Sequence, residues 1–338
     1  MKRVAINGFG RIGRLLFRQS FGNPDFEVVA INDLGDLENL AYLLKYDTVY
    51  RRFDHEVSVK DGSLWVDGKE IKVLQVKEPA ELPWKDMNID IAVESTGFFD
   101  SYEKAQAHIT AGAKRVVITA PAKDADGPNG QTVLMGVNEE KMSLCPITNN
   151  GSCTTNSASP VIQVLSENPG IQKAFLSTVH SYTAMQALVD SPAKKGDFRR
   201  GRAAAQNISP STTGAAIAVT RAIPELTDKF DGLSFRVPSI TGSISDITMV
   251  MKRKTSVEEI NKILTDAAAS PRWQGILKVT NDQIVSTDIV GEPAGAIVSL
   301  DMTKVVDGDL VKVLSWYDNE YGYVSTLIKH IAKAAAIA

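Results

Sequence analysis

A short apolar run, Val4-Ala5-Ile6, leads directly into Gly8-Phe9-Gly10-Arg11-Ile12-Gly13, and a helical apolar pattern follows at Leu15, Leu16 and Phe17. Strand, G-x-G-x-x-G, helix is the order a dinucleotide-binding turn requires. The first glycine makes the tight turn, the second lets the backbone approach a pyrophosphate, and the third lets helix and strand pack closely. A second strand-like run, Glu27-Val28-Val29-Ala30-Ile31, ends at Asn32-Asp33. Asp33 therefore stands about 20 residues beyond the last glycine, where a carboxylate accepts hydrogen bonds from an adenosine ribose diol. The same carboxylate repels a 2′-phosphate, and Leu34 supplies no positive charge to counter it, so NAD is expected rather than NADP. Reading Asp33 only as a helix cap would leave the glycine spacing unexplained.

The first half continues in the same style. Short alternating runs between Asp54 and Val76, with Asp61-Gly62 and Asp67-Gly68 turns, predict hairpins inserted into the domain. Asp90-Ile91-Ala92-Val93-Glu94 is a buried strand leading to Ser95-Thr96-Gly97, followed by a helical pattern through His108 and a strand from Arg115 to Thr119. Strands alternating with helices build a parallel sheet covered on both faces, and ligands bind at the carboxyl ends of its strands. Gly8, Asp33, Thr96 and Thr119 all fall at such ends.

The second half carries different signals. Cys153, in Asn149-Asn150-Gly151-Ser152-Cys153-Thr154-Thr155-Asn156, is one of two cysteines and precedes an apolar run from Ala158 to Leu165. Hydroxylated residues before such a run are N-caps, which puts Cys153 in the first turn of a helix, where free N–H groups favour thiolate over thiol. Pro160 would kink that helix or mark a later start. A strand from Phe175 to Val179 ends at His180, an imidazole able to take a proton from a nearby thiol. Residues 184 to 207 form a long segment holding Lys194-Lys195-Gly196 and Arg199-Arg200-Gly201-Arg202. Ser209-Pro210-Ser211-Thr212-Thr213-Gly214 then reads as a hydroxyl-rich helix start, a cradle for an anion. Arg236, alone in a strand-like run, requires an anionic partner from the protein or a ligand. Strands from Ile247 to Met251, Ala296 to Leu300 and Leu310 to Leu314, a helix from Val257 to Ala268 and a last helix from Val324 to Ala336 complete a mixed domain. The fold class expected is α/β: a Rossmann-type parallel-sheet domain plus an α+β catalytic domain with a mostly antiparallel sheet.

Taken together, these motifs resemble phosphorylating glyceraldehyde-3-phosphate dehydrogenase over essentially the whole chain. The most specific are Ser152-Cys153-Thr154-Thr155-Asn156, His180-Ser181-Tyr182-Thr183 and Trp316-Tyr317-Asp318-Asn319-Glu320. The resemblance implies that Cys153 is the nucleophile and His180 the general base. It implies that Thr183, Arg199 and Arg236 hold the substrate phosphate, and that Ser152, Thr154, Thr213 and Gly214 hold the attacking inorganic phosphate. Cofactor contacts implied are Asn7, Gly8, Phe9, Gly10, Arg11, Ile12, Gly13, Asp33, Leu34, Ser95, Thr96, Gly97, Thr119, Pro192, Asn319 and Tyr323, with Asn319 on the nicotinamide carboxamide. It further implies an NAD-binding domain over 1–151 completed by a C-terminal helix over 320–338, a catalytic domain over 152–319, and a homotetramer in which segment 184–207 reaches a neighbour's cofactor site. Ser157 stands where the family commonly has a second cysteine, which removes a disulfide from Cys153 to that position. Gly151 and the segment from Val237 to Gly242 also depart from the usual pattern.

Size and charge bound the alternatives. At 338 residues two domains are the natural division, and a net charge of −3 gives no electrostatic case for nucleic acid or an anionic membrane. Met1-Lys2-Arg3 is basic, but Asn7, Gly8 and Gly10 interrupt the apolar run, so no signal peptide is expected, and the cysteines are expected to stay reduced in the cytoplasm. Rivals are a dehydrogenase of erythrose 4-phosphate, opposed by the intact His-Ser-Tyr-Thr run; an aspartate-semialdehyde enzyme, opposed by Thr183 and Arg199; and a non-catalytic NAD- or RNA-binding protein, which would have no use for Cys153 paired with His180.

Overall fold

A computed structural model describes residues 1–193 and 196–338; Lys194 and Lys195, part of the basic segment, lie outside the described residues. It divides into two compact units, Met1–Gly151 with Leu327–Ala338, and Ser152–Thr326.

The first unit contains strands β1 (Lys2–Asn7) and β2 (Phe26–Asn32), then a short ribbon of β3 (Tyr46–Asp47) and β4 (Arg51–Arg52). It continues with β5 (Val57–Lys60), β6 (Ser63–Val66), β7 (Lys69–Leu74), β8 (Ile91–Glu94), β9 (Arg115–Ile118), β10 (Gln131–Thr132) and β11 (Ile147–Asn149). The main sheet runs β10-β11-β9-β8-β1-β2-β7-β6-β5. Every neighbouring pair from β10 to β7 is parallel. Only β5, β6 and β7 pair antiparallel with one another. The hairpins between residues 54 and 76 are therefore not a separate insertion. β7 joins β2 in parallel, Val73 opposite Ile31, and the hairpin extends the same sheet. β8 and β9 are buried throughout, as strands covered on both faces must be. Helices α1 (Arg11–Ser20), α2 (Leu37–Lys45) and α3 (Tyr102–Thr110) belong to this unit. α1 starts at Arg11, ahead of its apolar stripe, because its first turn has to meet the glycine turn before Leu15, Leu16 and Phe17 reach the core.

In the second unit the strands are β12 (Ile171–Ser181), β13 (Ser209–Thr212), β14 (Phe230–Val237), β15 (Ser243–Met251), β16 (Leu277–Thr280), β17 (Ala296–Ser299), β18 (Lys304–Val306) and β19 (Leu310–Tyr317). They form the order β13-β14-β12-β15-β19-β17-β16, with β18 beside β19. Strands β12–β14 and β16–β17 pair parallel, the rest antiparallel. α4 (Cys153–Glu167) packs on this sheet and against α5 (Ala215–Ala222) and α6 (Val257–Ala268). It runs through Pro160 rather than starting after it. Along β15 the inward residues Ser243, Ser245, Ile247, Met249 and Met251 alternate with half-buried ones, the period-2 signature of a strand covered on one face.

Two expectations change here. Ser209 to Thr212 forms an edge strand, and its Pro210 is tolerated because an edge has one side without ladder bonds. β16, Leu277-Lys278-Val279-Thr280, alternates apolar and polar over only four residues, too short a run to stand out in the sequence. The last helix, α7, spans Tyr321–Ala336 and begins three residues ahead of Val324, because Asp318 Oδ1 accepts from Glu320 N and Tyr321 N and so opens the helix early.

Candidate active site

In the first unit the glycine turn is closed by sterics. Gly8 has φ +96, and a Cβ on Gly13 would lie 2.2 Å from Gly8 O, so neither position accepts a side chain. Ser95 Oγ donates to Gly8 O at 2.6 Å and ties the turn to the end of β8. Gly10 is the N-cap of α1, with no side-chain cap, no acidic residue in the first turn and nothing within 4 Å of where a Cβ would be. Uncapped N–H groups facing open space fit the pyrophosphate of a dinucleotide. Beside them is a cavity of about 470 Å³ lined by Gly8, Gly10, Asp33, Leu34, Thr96 and Phe98, among others. Asp33 is held in place by Phe9 N on Oδ2 (2.6 Å) and Gly35 N on Oδ1 (2.8 Å). The Arg11 guanidinium is bound by Asp47 and lies over the Tyr50 ring. Ile12 is half-buried, Gly97 is exposed, and Thr119 is held by its N–H on Glu94 O at 3.0 Å.

Beneath the turn lies a polar network that the motif did not reveal. Glu94, 2 % exposed, accepts from Asn7 Nδ2 (2.6 Å), Thr96 N (2.8 Å) and Thr96 Oγ1, and lies 3.1 Å from His108 Nε2. Trp84 Nε1, a donor only, contacts His108 Nδ1 at 3.0 Å, so Nε2 carries the ring proton and donates to Glu94. Asn32 Nδ2 donates to Asn7 Oδ1 at 2.7 Å. The available signal was a polar residue closing each of β1, β2 and β8.

In the second unit Cys153 is the first residue of α4. Ser152 caps it by accepting from Thr155 N, and Ser152 N donates to Thr155 Oγ1, a reciprocal box. Cys153 Sγ lies 3.3 Å from His180 Nε2. β12 and β14 pair His180 directly with Arg236, whose guanidinium nitrogen contacts His180 Nδ1 at 2.9 Å and donates to Ser181 O at 3.1 Å. Among the described residues Arg236 has no carboxylate partner, and its Nε is buried without a hydrogen bond. Nδ1 also lies 2.7 Å from Ser181 O. The Ser181 carbonyl calls for the ring proton on Nδ1 and the Arg236 N–H calls for a bare Nδ1, so the two contacts favour opposite tautomers; the one with Nδ1–H donating to Ser181 O leaves Nε2 bare toward the sulfur, the form a general base needs.

The electrostatics correct one expectation. Burial pushes the Cys153 thiol up, outweighing Arg236 and the N–H and hydroxyl donors of Thr154. Burial, and then the Arg236 charge, lowers His180 to about 3. A helix start alone does not hold this sulfur as thiolate. What favours ionisation is the pair: a proton moved from Sγ to Nε2 creates both charges 3.3 Å apart, where their attraction offsets the separate penalties. Cys153 also keeps a partly exposed edge, through which solvent moderates its own. Tyr317, edge-on to His180 at 5.8 Å, bonds Thr154 Oγ1 (3.0 Å) and Thr178 Oγ1 (2.7 Å), and burial pushes its hydroxyl up.

Other expected site residues divide. Thr213 Oγ1 accepts from Ala215 N at 3.2 Å, and Gly214 is the uncapped N-cap of α5. Thr183 bonds Gln186. Arg199 has a side chain 59 % exposed, and among the described residues it pairs with Asp197 at 3.4 Å. The arginine whose charge bears on Arg236 is the next one, Arg200, with Nε on Asp197 at 3.0 Å. Two adjacent arginines in a chain that makes a 3-10 turn, Phe198–Gly201, point different ways, and spacing alone could not choose between them. Pro192 is exposed in the same segment and Tyr323 is buried in α7. Asn319, 5 % exposed, is held by Ser181, Thr241, Gly242 and Ser243, none of which was expected to serve it.

Comparison with known proteins adds a family. The description "Glyceraldehyde 3-phosphate dehydrogenase, NAD binding domain" matches residues 2–102, and "Glyceraldehyde 3-phosphate dehydrogenase, C-terminal domain" matches residues 152–319. Similar proteins include the glyceraldehyde-3-phosphate dehydrogenase of Clostridium pasteurianum, 47% identical over the full length of both chains. That of Thermotoga maritima is 50% identical over 97% of each chain. Glyceraldehyde-3-phosphate dehydrogenase 3 of Saccharomyces cerevisiae is 46% identical over 99% of this chain and 100% of its own.

Proposed function

This chain belongs to the glyceraldehyde 3-phosphate dehydrogenase family, and on that premise we propose that it oxidises and phosphorylates D-glyceraldehyde 3-phosphate to 1,3-bisphosphoglycerate with NAD. The observation that carries the reading is a cysteine at a helix start 3.3 Å from an imidazole whose far side meets an arginine without a carboxylate. NAD, when bound, supplies the hydride acceptor. Cys153 Sγ adds to the aldehyde carbon while its proton, held on His180 Nε2, passes to the carbonyl oxygen to give the hemithioacetal, and Nε2 takes that hydroxyl proton back as the C–H bond breaks. The backbone N–H groups of Cys153 and Thr154, at the open end of α4, are the donors available to the developing oxyanion. Cys153 then carries a thioester, which keeps the oxidation energy until inorganic phosphate attacks.

Two anions need holding. For the substrate phosphate the candidates are Thr183, Arg236 and, in place of Arg199, Arg200; for inorganic phosphate, Ser152, Thr154, Thr213 and Gly214. The region 1–151 with the C-terminal helix is read as the NAD-binding domain and 152–319 as the catalytic one. A cytoplasmic homotetramer is the assembly proposed: Leu188, Val189 and Phe198 of segment 184–207 are more than two-thirds exposed, and such apolar side chains favour burial by another copy. Both cysteines are free, and no helix of the described residues is long and apolar enough to cross a membrane.

The test is phosphate-dependent cofactor reduction. Glyceraldehyde 3-phosphate with NAD should give the highest kcat/KM. Preference for erythrose 4-phosphate or for NADP, or turnover indifferent to phosphate, would overturn the assignment.

A further inference from the structure

Asn319 follows β19 by two residues, and its Oδ1 is surrounded by donors. Ser181 Oγ lies at 2.8 Å, Gly242 N and Ser243 Oγ at 3.1 Å, and Thr241 Oγ1 at 3.3 Å, its one hydrogen shared with Asp318 Oδ1 at 3.2 Å. An amide nitrogen carries only hydrogens, so this set of donors assigns the oxygen to the inner end of the side chain. Ser243 has no freedom to do otherwise: its Oγ accepts from Ser181 N at 3.1 Å, which leaves its own hydrogen for Asn319. Gly242 aims its N–H from φ +86, and a Cβ there would lie 2.4 Å from Ser286 O. Ser181, Thr241 and Ser243 are all at most 3 % exposed. Nδ2, by contrast, donates to nothing among the described residues.

We propose that Ser181, Thr241 and Ser243 are positioning residues that lock the Asn319 amide with Nδ2 outward, so that it offers N–H only to the carbonyl end of the cofactor's carboxamide. This rests on the reading of Asn319 as the residue that meets that group. A carboxamide has an acceptor end and a donor end, and an unlocked asparagine satisfies either by turning over. A locked one accepts a single orientation of the ring substituent. The buried hydroxyls are thus specificity determinants for how the nicotinamide is turned, although none needs to touch it.

The experiment compares NAD with its 3-acetylpyridine analogue, in which a methyl ketone keeps the carbonyl and lacks the amide nitrogen. In the wild-type chain the ketone oxygen receives the same Nδ2 hydrogen, so the ratio of the two KM values should be close to one, as should the ratio of the two Kd values from equilibrium binding without substrate, and in every variant the Kd ratio should move with the KM ratio. The double variant Ser181→Ala, Ser243→Ala removes the two closest hydroxyl donors and lets Oδ1 turn outward, where it suits the amide nitrogen of NAD and repels the ketone. The analogue-to-NAD KM ratio should then rise roughly tenfold, the worth of one hydrogen bond. Ser181→Thr retains a hydroxyl and should restore the wild-type ratio. General loosening would raise both KM values together, and an unchanged ratio overturns the proposal. Should the double variant not fold, Ser243→Ala alone reads the same ratio. Asn319→Ala separates the premise: an unchanged KM for NAD there removes the reading of Asn319 itself, whereas a raised KM with an unmoved ratio in the serine variants leaves that reading standing and removes the lock.

Discussion

Replacing His180 by Asn isolates what makes Cys153 reactive. Charging the imidazole against burial and Arg236 costs about 5 kcal/mol, from a drop from 6.5 to about 3 at 1.36 kcal/mol per pH unit. A thiolate and an imidazolium 3.3 Å apart attract by about 5 kcal/mol at an effective dielectric near 20. The attraction recovers the imidazole's penalty, and the thiol's own burial penalty is met in part by Arg236 and the Thr154 donors, so the ion pair needs both partners present. In His180→Asn the sulfur is left with Arg236, the Thr154 donors and a burial term that together hold its pKa above 9.0. The thiolate fraction at pH 7 is then about 1% or less. Iodoacetamide, being neutral, reads that fraction without a charge preference of its own. The wild-type alkylation rate at Cys153 should be nearly level between pH 6 and pH 8. The variant should react about 100-fold more slowly at pH 7 and gain tenfold per pH unit, with kcat down roughly two to four orders of magnitude. Cys145, 5 % exposed, serves as the unreactive internal reference. Equal rates at pH 7 in the two proteins would refute the pairing argument.

Two further outcomes follow from other parts of the fold. Arg200→Ala should lower kcat/KM for glyceraldehyde 3-phosphate by more than tenfold and Arg199→Ala by less than threefold, because the Arg200 charge bears on Arg236 and Arg199 is the more exposed of the two; the reverse order would restore Arg199. His330 is fully buried against Thr148, and burial, with the Arg115 charge adding, lowers it to about 3. Between 6.5 and about 3 the unfolded chain therefore binds a proton that the folded chain does not, so this contribution is complete above pH 6.5 and is lost as pH falls. In denaturant titrations His330→Gln should flatten the acid side of the stability profile by up to about 1.4 kcal/mol per pH unit, and an unchanged slope would count against it.

The parts of this molecule most legible in the sequence are those where one backbone geometry demands one residue type. Gly8 and Gly13 touch in the turn, and their spacing could be read directly. Ser152 at the head of α4 and the alternation along β15 were readable for the same reason. What stayed hidden depends on which side chains meet across strands. Arg199 and Arg200 are neighbours in sequence and differ only in where a 3-10 turn points them. Ser181, Thr241 and Ser243 lie on segments brought together by the pairing of β12, β15 and β19, and nothing in the sequence, Ser181's place beside His180 included, shows that they meet Asn319. The Trp84–His108–Glu94 network is likewise spread over a loop, a helix and a strand. The sulfur's expected ionisation was incomplete because a helix start is visible in sequence and the depth of burial is not.

The most direct test of a Cys153 acyl-enzyme is intact-protein mass spectrometry after mixing the chain with NAD and glyceraldehyde 3-phosphate in phosphate-free buffer. One phosphoglyceroyl adduct per chain should accumulate on the peptide containing Cys153, and inorganic phosphate should remove it. Reduced cofactor appearing with no adduct on that cysteine, or an adduct on Cys145 instead, would contradict it.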